Sequence, residues 1–236
     1  MGLLDVIGPV MIGPSSSHTA GACRLALLAR HARRVPPTRA TFTLHGSFAK
    51  TARGHGTDLA LIAGLLGMAP DDPRLPDARA EADRQGLEVT LRSADLGDVH
   101  PNTVRIETEG GSGDDVEHAR LTGSSLGGGM VRVFDVDGFG IDFGGGSHTL
   151  LIRHDDRPGV IARVARVIAD DESNIATLHS ARRTRGGEAM MSIEMDRRLS
   201  RHALDYLAHL TYVRWMRMLP EVLSGDAPLP RPGAAA

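Results

Sequence analysis

Along the first 145 residues the apolar positions keep changing period. In ATFTLHGS (Ala40–Ser47), Phe42 and Leu44 alternate with Thr41, Thr43 and His45, the period-two signature of a half-buried strand. LEVTLRS, TVRIETE and MVRVFDVDGFGIDF read as further strands. Two runs read as helices. One spans about Thr19 to Arg34 and is ended by Pro36-Pro37. The other, TDLALIAGLLG, starts at Thr57 and stops near the C-cap glycine Gly67. Asp71–Arg84 is polar, with early turn signals and then a short helix. Strands and helices do not alternate regularly, so this part is expected to be an α+β domain.

After GGGS (Gly144–Ser147), which reads as a hinge, the pattern becomes regular. HTLLIRH is a strand. RPGVIARVARVIADD is a helix with Pro158 near its first turn and Val160, Ile161, Val164 and Ile168 along one face. NIATLHSARR is a strand that RGG (Arg185–Gly187) turns into the strand EAMMSIEMD. SRHALDYLAHL is a helix capped by Ser200, and YVRWMRML is a last strand. The order βαββαβ is the ferredoxin-like split motif. The expected organisation is residues 1–145, residues 146–220, and a disordered Pro/Ala/Gly-rich tail over 221–236.

Composition narrows the function classes. A net charge of −2 and an aromatic share of 3% argue against nucleic acid as a partner. No apolar run approaches the roughly 20 residues of a membrane span, and the N-terminus lacks the basic region of a signal peptide. The expectation is a cytoplasmic protein with neither nucleic acid nor membrane as partner. Cys23 is the one cysteine, so neither an intrachain disulfide nor a Cys-rich metal site can form within the chain. The eleven histidines have no HExxH-like spacing, so no metal ligands are expected. Lys50 is the one lysine among arginine-dominated basic residues.

Four loops carry candidate chemistry. In GPSSSHTAGACRLALLAR, Ser15, Ser16, Ser17, His18 and Thr19 precede a helix whose unpaired N–H groups attract anions, with Ser17 or Ser16 as the expected N-cap. The bland alternative is an over-dressed cap. In HGSFAKTARGHGTD, Thr57 is read as a cap, and His55 lies between Gly54 and Gly56 near Asp58 and Lys50. That surrounding suits a general base, or an ordinary turn histidine. HPNTV (His100–Val104) is a third loop, and SSLGGGMV a fourth. Its Gly127, Gly128 and Gly129 fit backbone close to a ligand or another chain, or a flexible hairpin. In DDRPGVIA, the turn Arg157, Pro158, Gly159 and Val160 fits a small zwitterion, with Asn174 at its polar end, or an ordinary strand-to-helix turn.

GPSSSHTAG, HGSFAKTARGHGTD, HPNT and SSLGGGMV, in this order, resemble the β chain of bacterial iron–sulfur-dependent L-serine dehydratase. HTLLIRHDDRPGVIARVARVIADDESNIATL resembles an ACT domain, an amino-acid-sensing βαββαβ module. The first part is also similar to the allosteric substrate-binding domain of some phosphoglycerate dehydrogenases. The first resemblance implies conversion of L-serine to pyruvate and ammonia at a [4Fe–4S] cluster held by three cysteines, while a base removes the α-proton. One cysteine cannot hold it, so the cluster is expected on a partner α chain and this chain should be silent alone.

Carried over by position, His55 is the leading base, assisted by Lys50 and Asp58, with His18 as the second catalytic imidazole. Ser15, Ser16, Ser17, Thr19 and Ser47 would bind substrate, and Gly127, Gly128 and Gly129 would lie near the site or the chain interface. Ala52-Arg53 departs from the family's Gly-Lys pair. The ACT resemblance implies edge-to-edge pairing with a ligand at the seam, hence a homodimer inside an α2β2 assembly, with serine or another small amino acid near Arg157–Val160 and Asn174. The rival reading is a non-catalytic amino-acid sensor built from the same two domains; it has little use for two imidazoles at helix starts.

Overall fold

In the computed structural model, which describes residues 9–223, the alternating segments assemble into two sheets. The first contains β1 (Arg39–Leu44), β2 (Glu88–Ser93), β3 (Thr103–Gly110), β4 (Glu117–Gly127), β5 (Met130–Val136) and β6 (Phe139–Phe143), in the order β2-β1-β3-β4-β5-β6. Only β1 and β2 pair in parallel. A parallel pair needs a long crossover, and the helical stretch between them supplies it. Helix α1 (Ala22–His31) continues from a π-helical stretch, Ser16–Gly21. The crossover holds α2 (Gly46–Thr51), α3 (Thr57–Leu65) and α4 (Ala78–Gln85).

Phe42, Leu44, Val104, Ile106, Leu121 and Val133 turn one face of this sheet toward Leu25, Leu28, Leu61 and Ile62 of α1 and α3, and all are buried. Each such side chain contributes about 1.5–3 kcal/mol of burial. The two helices touch at Gly64, where a Cβ would lie 2.1 Å from the Cys23 carbonyl oxygen. The opposite face carries cross-strand charges, with Arg39 opposite Glu109, Glu107 opposite Arg120 and Glu109 opposite His118. Two-residue turns close two hairpins. Gly128-Gly129 (φ 59° and 79°) joins β4 to β5, and Asp137-Gly138 (φ 51° and 83°) joins β5 to β6, the mirror-image turn that fits strand twist.

The second sheet contains β7 (His148–Asp155), β8 (Ile175–Arg182), β9 (Glu188–Met195) and β10 (Val213–Leu219), all antiparallel, in the order β10-β7-β9-β8. With α5 (Val160–Asp170) and α6 (Arg201–Ala208) this is the expected ferredoxin-like unit, and both described units are α+β. Leu150, Ile152, Met191 and Ile193 pack against the helices. The sheet's other face, with Leu151, Met190 and Leu219, joins the core of the first unit.

Several expected details change. The first helical segment runs from Ser16 to His31, and Ser15, extended at φ −148°, caps it in place of Ser16 or Ser17. The cap moves because the opening turns are π-helical and begin earlier than Thr19. Gly56, in left-handed conformation, precedes α3, and Thr57 is its first residue rather than its cap. Ile161 is 47% exposed; the four-residue repeat Val160, Val164, Ile168 fills the buried stripe, and Ile161 lies about 100° away from it. GGGS is pinned rather than hinge-like: the Gly144 amide donates to Glu194 Oε1 at 3.0 Å and Gly145 packs on Leu28 and Val222. Of the segment expected to be a disordered tail, residues 224–236 lie outside the described residues. Val222 is buried, and its amide donates to the Gly145 carbonyl at 2.9 Å.

Candidate active site

Ser15 opens the site. Its Oγ accepts the His18 amide at 3.2 Å and so fixes the turn that carries His18 inward. The imidazole is 8% exposed. Its Nδ1 lies 3.1 Å from Ser17 Oγ and 3.4 Å from Ser15 Oγ, and its Nε2 lies 3.1 Å from Ser47 Oγ. Hydroxyls can donate or accept, so either neutral tautomer is satisfied. Phe48 meets the ring edge-on at 5.3 Å between centroids, and His55 does so at 4.9 Å. Burial, and then the charge on His55, push the His18 pKa below its ordinary value. His18 is therefore a neutral imidazole near pH 7, able to take up a proton.

The second loop is built against the first. Ser47 is the second residue of α2; its amide donates to the Pro101 carbonyl at 2.8 Å, and Pro101 fills the space beside Gly46. The HPNT stretch thus positions Ser47. His55 is exposed; its amide donates to the Thr51 carbonyl at 3.0 Å, and its own carbonyl accepts from Thr19 Oγ1 at 3.3 Å. Thr19 is a strut between the two histidine loops. Ser16 is half-buried, with no hydrogen bond to its hydroxyl among the described residues.

Not all expected residues converge. Lys50 is exposed on α2 without an ion pair among the described residues. Asp58 pairs with Arg79 at 3.7 Å. Neither hydrogen-bonds an imidazole. Gly127, Gly128 and Gly129 end a hairpin anchored beside the site: Ser125 Oγ sits where a Cβ of Gly21 would fall, and buried Arg24 donates to the Gly129 carbonyl at 2.7 Å. Arg24, Phe48 and Ser125 went unread in the sequence. Phe48 lay in plain view, three residues after His45, but its contact is with a residue thirty positions away.

The residues expected to hold a regulatory ligand lie apart within one chain. Arg157, Pro158 and Gly159 are exposed, Val160 is buried, and Arg157 lies over the Tyr212 ring at 5.0 Å. Strand register aligns Asp155 with Glu188 and Ile175 with Met195, at opposite ends of β9. Seven residue steps at about 3.3 Å put Asn174 about 20 Å from the Arg157–Val160 turn within one chain.

Metal ligands are likewise not gathered. Cys23 is fully buried, its thiol donates to the Met68 carbonyl at 3.2 Å, and burial pushes its pKa up. Among the described residues, no group of three His, Cys, Asp or Glu side chains could hold a metal ion. These residues do not fit an iron–sulfur cluster.

The family model for the serine dehydratase beta chain matches residues 4–95, and that for the ACT domain matches residues 148–205. The chain is 41% identical to a probable L-serine dehydratase, beta chain, of Bacillus subtilis (strain 168) over 88% of this chain and 93% of that one. The chain belongs to the serine dehydratase β-chain family. It is also 38% identical to the L-serine dehydratase, beta chain, of Peptoniphilus asaccharolyticus over 83% of this chain and 87% of the relative. A shorter similarity, 44% over 68 residues and 13% of the relative, connects it to a D-3-phosphoglycerate dehydrogenase of Bacillus subtilis (strain 168). The matched serine dehydratase β segment includes every residue around His18 described above except Pro101 and the β4–β5 hairpin. Among the described residues no helix is long and apolar enough to cross a membrane.

Proposed function

We propose that this chain is the β subunit of a cytoplasmic L-serine dehydratase that makes pyruvate and ammonia together with an α chain. The observation that carries the reading is the buried, neutral His18, set between the Ser17 and Ser47 hydroxyls and edge-on to His55. Ser15, Ser16, Ser17 and Ser47 hold the substrate carboxylate at the start of the first helical segment, where free backbone N–H groups favour an anion. His18 takes the α-proton, because a desolvated neutral imidazole is a competent base at neutral pH. Exposed His55 exchanges that proton with solvent. Loss of the β-hydroxyl as water leaves aminoacrylate, which tautomerises to an imine and hydrolyses to pyruvate and ammonia.

His18 replaces His55 as the favoured base on grounds of burial. Lys50 and Asp58 act at most through the loop, and Gly127, Gly128 and Gly129 border the α chain. The [4Fe–4S] cluster that the resemblance implies belongs to the cysteines of that α chain, since the single thiol here is buried and held protonated. The second unit serves amino-acid regulation and pairing with a second copy.

The test is anaerobic co-expression with a cysteine-rich α chain, following pyruvate from L-serine. Turnover by the complex and none by this chain alone is expected. No turnover with any such partner would favour the amino-acid sensor, a reading supported by the similarity to a phosphoglycerate dehydrogenase.

A further inference from the structure

A concavity of about 690 Å³ lies away from the His18 site, on the charged face of the first sheet, where the β8–β9 turn of the second unit overhangs it. Its polar walls include Glu107 of β3, Arg120 of β4, Asp137 of the β5–β6 turn and Arg183 from the second unit. Other charges there are already spent on one another. Arg39 pairs with Glu109, and His118 lies 3.6 Å from the same carboxylate.

The remaining four are arranged differently. Glu107 has no hydrogen bond or ion pair among the described residues. Asp137 accepts the Arg120 amide at 2.8 Å through one oxygen, and burial raises its pKa. Arg183 lies over the Phe139 ring at 4.3 Å and donates to the Asp137 carbonyl. These contacts hold the guanidinium in place without consuming all five of its N–H donors. Arg120 pairs with Asp135 at 3.5 Å through Nε, while its two terminal nitrogens make no hydrogen bond among the described residues.

We infer that this concavity binds a free α-amino acid, its carboxylate toward Arg120 and Arg183 and its ammonium toward Glu107 and Asp137. The inference deepens, and rests on, the amino-acid regulation in the proposed function, and it adds a second amino-acid site to it. These four groups share one cavity within one chain, whereas the turn at Arg157–Val160 and Asn174 need a second copy to close on one small molecule. The site also spans the two units. Arg182, the neighbour of Arg183, pairs with Asp156 at 3.2 Å. An occupant that holds Arg183 therefore bears on the turn beside α5, while Arg120 lies on the strand that runs on to Ser125 beside the His18 loop.

Trp215, the one tryptophan of the chain, reports on the site: it borders a small void shared with Arg120 and Asp137. The experiment titrates the full chain with L-serine and each other proteinogenic amino acid, following tryptophan emission. Lactate (no ammonium), ethanolamine (no carboxylate) and inorganic phosphate are the controls. A saturable change with at least one amino acid and none with the controls is expected. Asp137→Asn, which keeps the left-handed turn, and Arg183→Gln should each weaken it about tenfold or more. His18→Asn and Asn174→Ala should leave it unchanged.

No saturable response to any amino acid would overturn the inference, as would an equal response to phosphate. So would loss of the response in His18→Asn or Asn174→Ala, or its survival in both Asp137→Asn and Arg183→Gln. Pyruvate formation by the assembled complex is read separately, so failure here with intact turnover leaves the dehydratase reading standing.

Discussion

Replacing Gly64 by alanine probes the packing that holds the two imidazoles together. Gly64 sits inside α3, where alanine would by propensity alone stabilise the helix by about 1 kcal/mol. The structure opposes this. The new Cβ would lie 2.1 Å from the Cys23 carbonyl oxygen and 2.9 Å from Ala26 Cβ, where unstrained contacts need about 3.5 Å. The obstacle is backbone, which cannot rotate aside, so α1 and α3 must separate by about 1 Å. Overpacking of this kind costs about 1–3 kcal/mol; the upper end less the propensity gain leaves a net loss of about 2 kcal/mol. Urea denaturation should show a lower midpoint at unchanged slope. Gly140→Ala, with nothing within 4 Å of its new Cβ, is the control and should be near neutral.

The consequence reaches the site. The first helical segment carries His18 and α3 begins two residues after His55, so parting the helices widens the 4.9 Å ring contact. Activity of the assembled complex should therefore fall in Gly64→Ala even where the protein is fully folded. A Gly64→Ala protein as stable as the parent or more so would refute the packing argument, since propensity would then have won.

Removing the charge beside His18 should raise its pKa: in His55→Gln, the acid limb of the kcat/KM profile should move up toward the ordinary histidine value, and an unmoved limb would detach His55 from His18. His31 gives a stability prediction. Burial, with Arg30 and Arg198, lowers its pKa to about 4. Below pH 6.5 the unfolded chain then takes up a proton before the folded one does, so stability is full above that pH and is lost as pH falls toward 4. The loss reaches at most about 3 kcal/mol, and His31→Gln should flatten that slope in denaturant melts at pH 7 and pH 5. Cys23, buried with its pKa raised, should resist iodoacetamide in the folded protein and react once urea unfolds it. Rapid native labelling would contradict that placement.

What was legible in the sequence was what local periodicity encodes. Phe42 and Leu44 announced β1, and the regular βαββαβ order announced the second unit and its sheet. The histidine loops announced themselves through clustered hydroxyls and glycines, and the structure brings His18, His55 and Ser47 together. Long-range geometry was not legible. Asp58 looked like a partner for His55 because they are three residues apart, yet a helix turns it toward Arg79. Arg157 and Asn174 lie at opposite ends of their sheet within one chain, because α5 carries the chain between them, so a ligand shared by the two needs a second copy. The wall that Phe48 gives His18 depends on how α2 meets the first helical segment. The Ser15 cap depends on a π-helical opening that no residue pattern announced.

The claim on which the account turns is that His18 is the base of a site shared with an α chain. The most direct measurement is the turnover number of His18→Asn in the anaerobically assembled complex, beside the parent. Asparagine can keep hydrogen bonds to Ser17 and Ser47 but cannot take the proton. The account predicts a fall of about 10²–10⁴-fold in pyruvate formation with the complex still assembled. Turnover within a few-fold of the parent would contradict it.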